Sequence, residues 1–355
     1  MVRAAAIAAS TPSSPGKAWA RSVPGDLGGL RLPLALSVRG LYGGTGSMNT
    51  YIGIDLGGTK LLVGEVTEAG EVLRTRSYPT GALTQQQAMD LICSALDAFL
   101  PECSPAVQAI GLGLVGRIDS EKGLWLEISG GRKATLPICE VLSQRYSLPA
   151  FADNDVRSAL KAELRFGQGR GIKDLIYINV GTGVAAGFVT GGHCNAGEIG
   201  HTSSGLPFRI SCECGRDDCV ESVISGLGLS NCARLLAPEY PDTRLTIPAD
   251  GGRVSAADIF RLSDTDPLCH RLTEQAAKAL SNLLMNLVRF NDPQAIILGG
   301  GVVSDGFLLK KALGYTQAHP LRYVTAGIHL TTLDPRTIGL LGAASNAIIG
   351  MEEAI

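Results

Sequence analysis

Residues 195–222 read NAGEIGHTSSGLPFRISCECGRDDCVES and carry His201, Cys212, Cys214 and Cys219 within nineteen positions. One imidazole and three thiolates are the donor set of a closed structural zinc site, in which the protein supplies every ligand. The Cys-x-Cys spacing is tighter than in common zinc ribbons, so reduced surface thiols are the alternative reading. The remaining cysteines, Cys93, Cys103, Cys139, Cys194, Cys232 and Cys269, are scattered singly and spell out no disulfide framework. Glu198 precedes His201 by three residues and Glu221 follows Cys219 by two, so a metal joining those ligands would draw the two carboxylates together.

A second kind of chemistry lies in the glycine turns. In DLGGTK (55–60), Asp55 ends an apolar strand, and Gly57 and Gly58, followed by Thr59 and Lys60, can bring backbone N–H groups close to an anion. A plain hairpin turn accounts for the same glycines. VGTGVAAG (180–187) repeats the arrangement with Gly181, Thr182 and Gly183, and two such turns could each grip part of a polyphosphate. Neither is a P-loop, because G-x-x-x-x-G-K-[ST] is absent. A third cluster, LGGGV (298–302), carries Gly300 and Gly301 after the strand QAIIL; it could take a nucleoside against its backbone or merely permit close helix packing. Asp155, in ADNDVRS, stands after Asn154 where a strand hands over to a helix. An Asp there is ordinarily an N-cap. Phosphoryl transfer, however, needs a carboxylate to accept the proton of the attacking hydroxyl, with Asp153 a nearby competitor for that task.

The elements that must position these residues follow from patterning. YIGID, LLVGEV and VLRTRSY read as three opening strands, and Thr84–Leu100 spaces Ala88, Leu91, Ile92, Ala95, Leu96 and Phe99 as one apolar helical face. AIGLGLVG and PAFAD read as further strands, and DVRSALKAELRFG as a helix closing on glycine. A second round begins at DLIYINVGTGVAAGFV (174–189), again strand, glycine turn and strand. It continues through a long helix from Pro267 to about Asn291, the strand QAIIL, and a final helix in IGLLGAASNAII. The chain therefore reads as two related α/β halves, 48–170 and 171–355.

Composition bounds the rest. At 355 residues and 45% hydrophobic content the chain can bury a sizeable core, and a net charge of −2 without basic runs argues against nucleic acid or an anionic membrane as partner. An odd cysteine count points to a reducing, cytoplasmic compartment. Residues 1–47 hold one acid, Asp26, against five basic residues and read as a poorly ordered leader or an over-extended start; neither a transit nor a signal peptide fits well.

Together these motifs resemble the ROK family, sugar kinases and related repressors of the actin-like ATPase superfamily. DLGGTK and GTGV match its phosphate loops, NDVRSALKAE its Asn-Asp helix start, and AGEIGH with CECGRDDCVE its sugar and zinc signature, over about residues 50–350. The resemblance implies a two-lobed, duplicated ribonuclease H-like fold with a zinc loop, transferring the ATP γ-phosphoryl group to a hexose. It implies Asp155 as catalytic base, and Asn154, Glu198, His201 and Glu221 as sugar ligands. Zinc would be held by His201, Cys212, Cys214 and Cys219. Gly57, Gly58, Thr59, Lys60, Gly181, Thr182 and Gly183 would lie around the phosphates, Asp55 near magnesium, and Gly300 with Gly301 near the nucleoside. A homodimer is the family default. On this reading the clasp serves the sugar, and the nucleotide loops lie at a distance from it. Two departures stand out: Asp218 replaces the usual glycine before the last cysteine, and LEISGGRKATLP (126–137) lacks the asparagine of the family glucokinases' Asn-Leu-Pro-Gly-Trp-like segment. Ser129 or Arg132 is left to take its place, which keeps N-acetylmannosamine, fructose and allose open beside glucose. The repressor alternative needs an N-terminal helix-turn-helix, which a leader with Pro12, Pro15, Pro24 and Pro33 does not supply.

Overall fold

Aliphatic and β-branched residues from Thr50 onward build an antiparallel meander of β1 (Thr50–Leu56), β2 (Lys60–Thr67) and β3 (Val72–Pro79) in the computed structural model, which describes residues 48–128 and 135–354. The leader 1–47, Ser129 and Arg132 lie outside the described residues. α1 (Gln85–Phe99) is started by a reciprocal capping box between Thr84 and Gln87 and buries Ala88, Ile92, Ala95, Leu96 and Phe99 against the sheet. β4 (Val107–Leu114) pairs parallel with β1. A small hairpin, β5 (Arg117–Asp119) and β6 (Leu124–Glu127), and α2 (Ile138–Tyr146) lead to β7 (Ala150–Asn154), parallel with β4. The sheet order is β3-β2-β1-β4-β7, and α3 (Asp155–Phe166) leaves its last strand.

The second half repeats this plan. β8 (Leu175–Val180), β9 (Val184–Thr190) and β10 (His193–Gly197) form the meander. α4 (Glu221–Ile224), α5 (Gly226–Leu236), α6 (Ala256–Leu262) and α7 (Pro267–Asn291) follow the cysteine-rich loop. Then come β11 (Ala295–Gly299), α8 (Phe307–Leu313), α9 (Ala318–Leu321), β12 (Gly327–Leu330) and α10 (Ile338–Glu353). The order β10-β9-β8-β11-β12 puts first, second, third, fourth and fifth strands where the first sheet has them. This is the duplicated architecture that the sequence motifs imply.

The closing helices are exchanged between the halves. α3 packs on β8, β9 and β10, whereas α10, at the far end of the chain, packs on β1, β4 and β7. Ala159, Leu160, Ala162, Leu340, Leu341 and Ala344 of these two helices share one core with Leu62, Val66, Leu175 and Tyr177 of the flanking sheets. The approach is close enough to require glycine: a Cβ on Gly111 would strike the Ala343 carbonyl, and one on Gly342 the Ser158 carbonyl. Strand register fixes what the exchange serves. Leu56 aligns with Leu114, and Leu114 with Asn154, so Asp55 and Asp155 stand at the same carboxyl edge of three parallel strands. In open α/β sheets that edge is where ligands bind.

Candidate active site

Asn154 decides the role of Asp155. Its Oδ1 accepts the backbone N–H groups of Val156 (3.0 Å) and Arg157 (3.3 Å), so Asn154, not Asp155, is the N-cap of α3. The Asn154 Nδ2 donates to the Gly116 carbonyl at 3.0 Å and keeps a second N–H. Asp155 becomes the first helical residue, its Oδ1 accepting only the Val156 N–H at 2.9 Å, with the cap already supplied. Asp153 is spoken for: it is 2% exposed, accepts the Asn154 N–H at 2.7 Å, pairs with Lys161 at 2.8 Å and bonds the Arg157 guanidinium. The two carboxylates are thus separated by their partners into a structural one and an unpaired one.

Burial, and after it the neighbouring Asp55 charge, together push the Asp155 carboxyl up to about 6 against the opposing Val156 N–H. Burial likewise raises Asp55 to about 6, opposed by Lys60. Asp55 fits beneath the first turn of α10 because residue 339 is glycine; a Cβ there would collide with its carboxylate. Two half-buried carboxylates that repel each other and share no direct cation are a donor set suited to a divalent ion, and Asp55 is the residue that could hold magnesium.

Asn154, Asp155 and Glu198 line one cavity of about 800 Å³ between the halves, together with Gly116, Arg117 and Glu127. Glu221 is not among them. It lines a smaller neighbouring cavity of about 210 Å³ with Thr182, Gly183 and Cys212, and its Oε2 accepts the Val184 N–H at 2.7 Å. The expected distance between the clasp and the phosphate loops is therefore corrected: this carboxylate bridges them. Glu127 and Arg253, whose Nη1 donates to Thr182 Oγ1 at 3.1 Å, were invisible to motif reading. Glu127 lay within the divergent segment 126–137, the one available signal; Arg253 carries none.

The glycine turns are hairpin turns that leave room. Gly57 N donates to Lys60 O at 3.0 Å, closing β1 on β2, yet a Cβ on Gly58 or Gly301 would meet nothing within 4 Å. Packing does not require glycine at those positions, whereas close approach of an anion or nucleoside would. Gly300, at φ +97°, is a turn residue whose Cβ would strike the Val180 carbonyl, and it joins β11 to the second glycine loop.

The cysteine-rich loop folds back so that Val220 N donates to Thr202 O at 2.9 Å and Ser203 bridges Cys219, setting His201 beside that thiol. Gly215, at φ +89°, turns the chain between Cys212 and Cys219. The four donor atoms of His201, Cys212, Cys214 and Cys219 lie within 4.8 Å of one another, and His201 Nδ1 is 3.5 Å from Cys212 Sγ. Zinc–sulfur bonds of about 2.3 Å at tetrahedral angles need ligand separations of about 3.8 Å, so the set fits zinc. Asp218, the departure from family pattern, pairs outward with Arg216 at 2.7 Å and leaves the clasp intact.

Comparison with known proteins agrees with this geometry. Residues 51–345 match the ROK family, and the chain belongs to it. A glucokinase of Halalkalibacterium halodurans is 30% identical over 78% of this chain and 88% of its own length. An N-acetylmannosamine kinase of Escherichia coli is 31% identical over 83% of this chain and 97% of its own. Among solved structures, a ROK family glucokinase from Streptomyces griseus in complex with glucose and AMPPNP superposes with a TM-score of 0.69 at 28% identity, covering 85% of this chain and all of that one. The duplicated two-sheet fold is that of the actin-like ATPases.

Proposed function

We infer that the protein is an ATP-dependent sugar kinase, and we propose that Asp155 is its general base and a hexose its acceptor, phosphorylated at the primary hydroxyl. The observation that carries this is the freeing of Asp155 by the Asn154 cap, beside Asp55 and in one cavity with Glu198. Asp155 accepts the hydroxyl proton as the sugar oxygen attacks the γ-phosphorus; the bond to the β–γ bridging oxygen breaks and ADP leaves, after which Asp155 returns the proton to solvent. Asn154 and Glu198 orient the sugar, with His201 and Glu221 arriving from the clasp. The Gly57–Lys60 and Gly181–Gly183 turns offer N–H groups to the phosphates, and Gly300 with Gly301 receives the nucleoside. Asp55 would hold magnesium, which would supply charge neutralisation to the polyphosphate. Zinc on His201, Cys212, Cys214 and Cys219 has all its ligands from the protein and is structural.

Glucose and N-acetylmannosamine are the acceptors that the named relatives support, with fructose and allose as further readings. The odd cysteine count without framework spacing supports a reducing cytoplasmic setting, and among the described residues no helix is long and apolar enough to cross a membrane. A homodimer is proposed on family grounds. ADP release measured across a panel of hexoses and N-acetylhexosamines tests the assignment: one sugar should stimulate release well above the others, and no stimulation by any of them would overturn it.

A further inference from the structure

Glu221 does something that a sugar ligand need not do. Four peptide planes join β8 to β9 across the loop Gly181–Gly183, and the last three are each tethered from outside. The Gly181 carbonyl accepts the Gly226 N–H of α5 at 2.8 Å, and the Thr182 carbonyl accepts the Leu227 N–H at 3.3 Å. The last plane, Gly183–Val184, is held by Glu221 Oε2 on the Val184 N–H at 2.7 Å, while Gly183 O accepts Gly181 N at 3.0 Å on its other side. A trans peptide aims its C=O and N–H in opposite directions. Turning the Gly181 and Thr182 carbonyls toward α5 therefore turns the Thr182 and Gly183 N–H groups away from it. Among the described residues neither N–H has a protein acceptor. Gly183 has to lack a side chain for this arrangement, since a Cβ would lie 2.6 Å from Glu221 Oε2.

We propose that Glu221 is a positioning residue for the nucleotide: its carboxylate locks the second phosphate loop so that the Thr182 and Gly183 N–H groups stay aimed at a phosphate. The assignment rests on the kinase reading but concerns the phosphate side of the site. It also gives the sugar end of the cleft a direct handle on the nucleotide end, because the residue implied as a sugar ligand is the one that grips the loop. A carboxylate near a polyphosphate repels it, so charge and positioning predict opposite outcomes on substitution, and the two can be separated.

The test is MgADP affinity by calorimetry without sugar, on the zinc-loaded full chain and on E221Q, E221D and E221A. E221Q keeps an acceptor at the same reach and should bind MgADP as well as wild type or better. E221D keeps the charge but is one methylene too short, and E221A has neither; both should bind about tenfold more weakly, the loss of one charge-assisted hydrogen bond. The contrast between E221Q and E221D holds even if E221A fails to fold. MgADP binding by E221D within twofold of wild type, or by E221Q as weak as E221D, would overturn the proposal. Wild type binding no MgADP would defeat the kinase reading itself, a distinct outcome.

Discussion

Asp153 and Asp155 are two residues apart and have opposite fates. The sequence could not separate them, because both stand where the strand hands over to the helix and either can cap or accept a proton. What divides them is three-dimensional: Arg157 and Lys161, one and two turns into α3, reach back to Asp153, while Asn154 takes the cap. The aspartate left over is half-buried and carries an uncompensated charge. With its carboxyl raised to about 6, Asp155 must be ionised to accept a proton, so kcat/KM should fall about tenfold per pH unit below about pH 6. Stability runs the other way. The folded form binds the proton more tightly than the unfolded chain, so the burden of the buried charge is relieved as pH falls from about 6 toward 3.8. Asp155→Asn should therefore raise the melting temperature at pH 7.5, with the gain vanishing near pH 4; calorimetry across that range checks the sign.

At the scale of elements, patterning was informative wherever a helix has one apolar face and clear punctuation. The Pro267–Asn291 helix and the Asp155–Phe166 helix end where Pro267, Asn291 and Gly167 predicted. The docking of α10 was not legible, because Ile338–Glu353 is apolar on most sides and its partner is chosen by glycines of distant strands. Nor was the link from clasp to phosphate loop, which depends on one side chain crossing between segments 37 residues apart. The clasp itself was legible, since its ligands are close in sequence. If it holds zinc, purified enzyme should contain one zinc per chain by elemental analysis, and Cys214→Ser should lose it. That variant should raise the sugar KM most, through Glu198, His201 and Glu221, and weaken MgADP by no more than the tenfold expected from Glu221. Active wild-type enzyme without zinc would contradict the clasp.

The whole molecule is two copies of one sheet plan joined by an exchange of closing helices, which puts the carboxyl edges of both sheets around one cleft. Each half supplies one glycine turn, and Asp155, the carboxylate proposed as general base, begins the helix that crosses from the first sheet to the second. The duplication was legible from the recurring strand–turn–strand pattern, whereas the exchange was not, since no local signal tells a helix which sheet it will cover. All the site residues named above follow Met48. Removing residues 2–47 is accordingly expected to leave kcat/KM and melting temperature unchanged, and a drop in either would show that the segment packs on the kinase body. The most direct test of the account is the turnover of Asp155→Asn with the preferred sugar, read beside sugar affinity by calorimetry. Loss of a positioned base should lower kcat at least about 100-fold with sugar affinity within a few-fold of wild type. Near-normal turnover in that variant would contradict the assignment of Asp155 and return Asp153 to consideration.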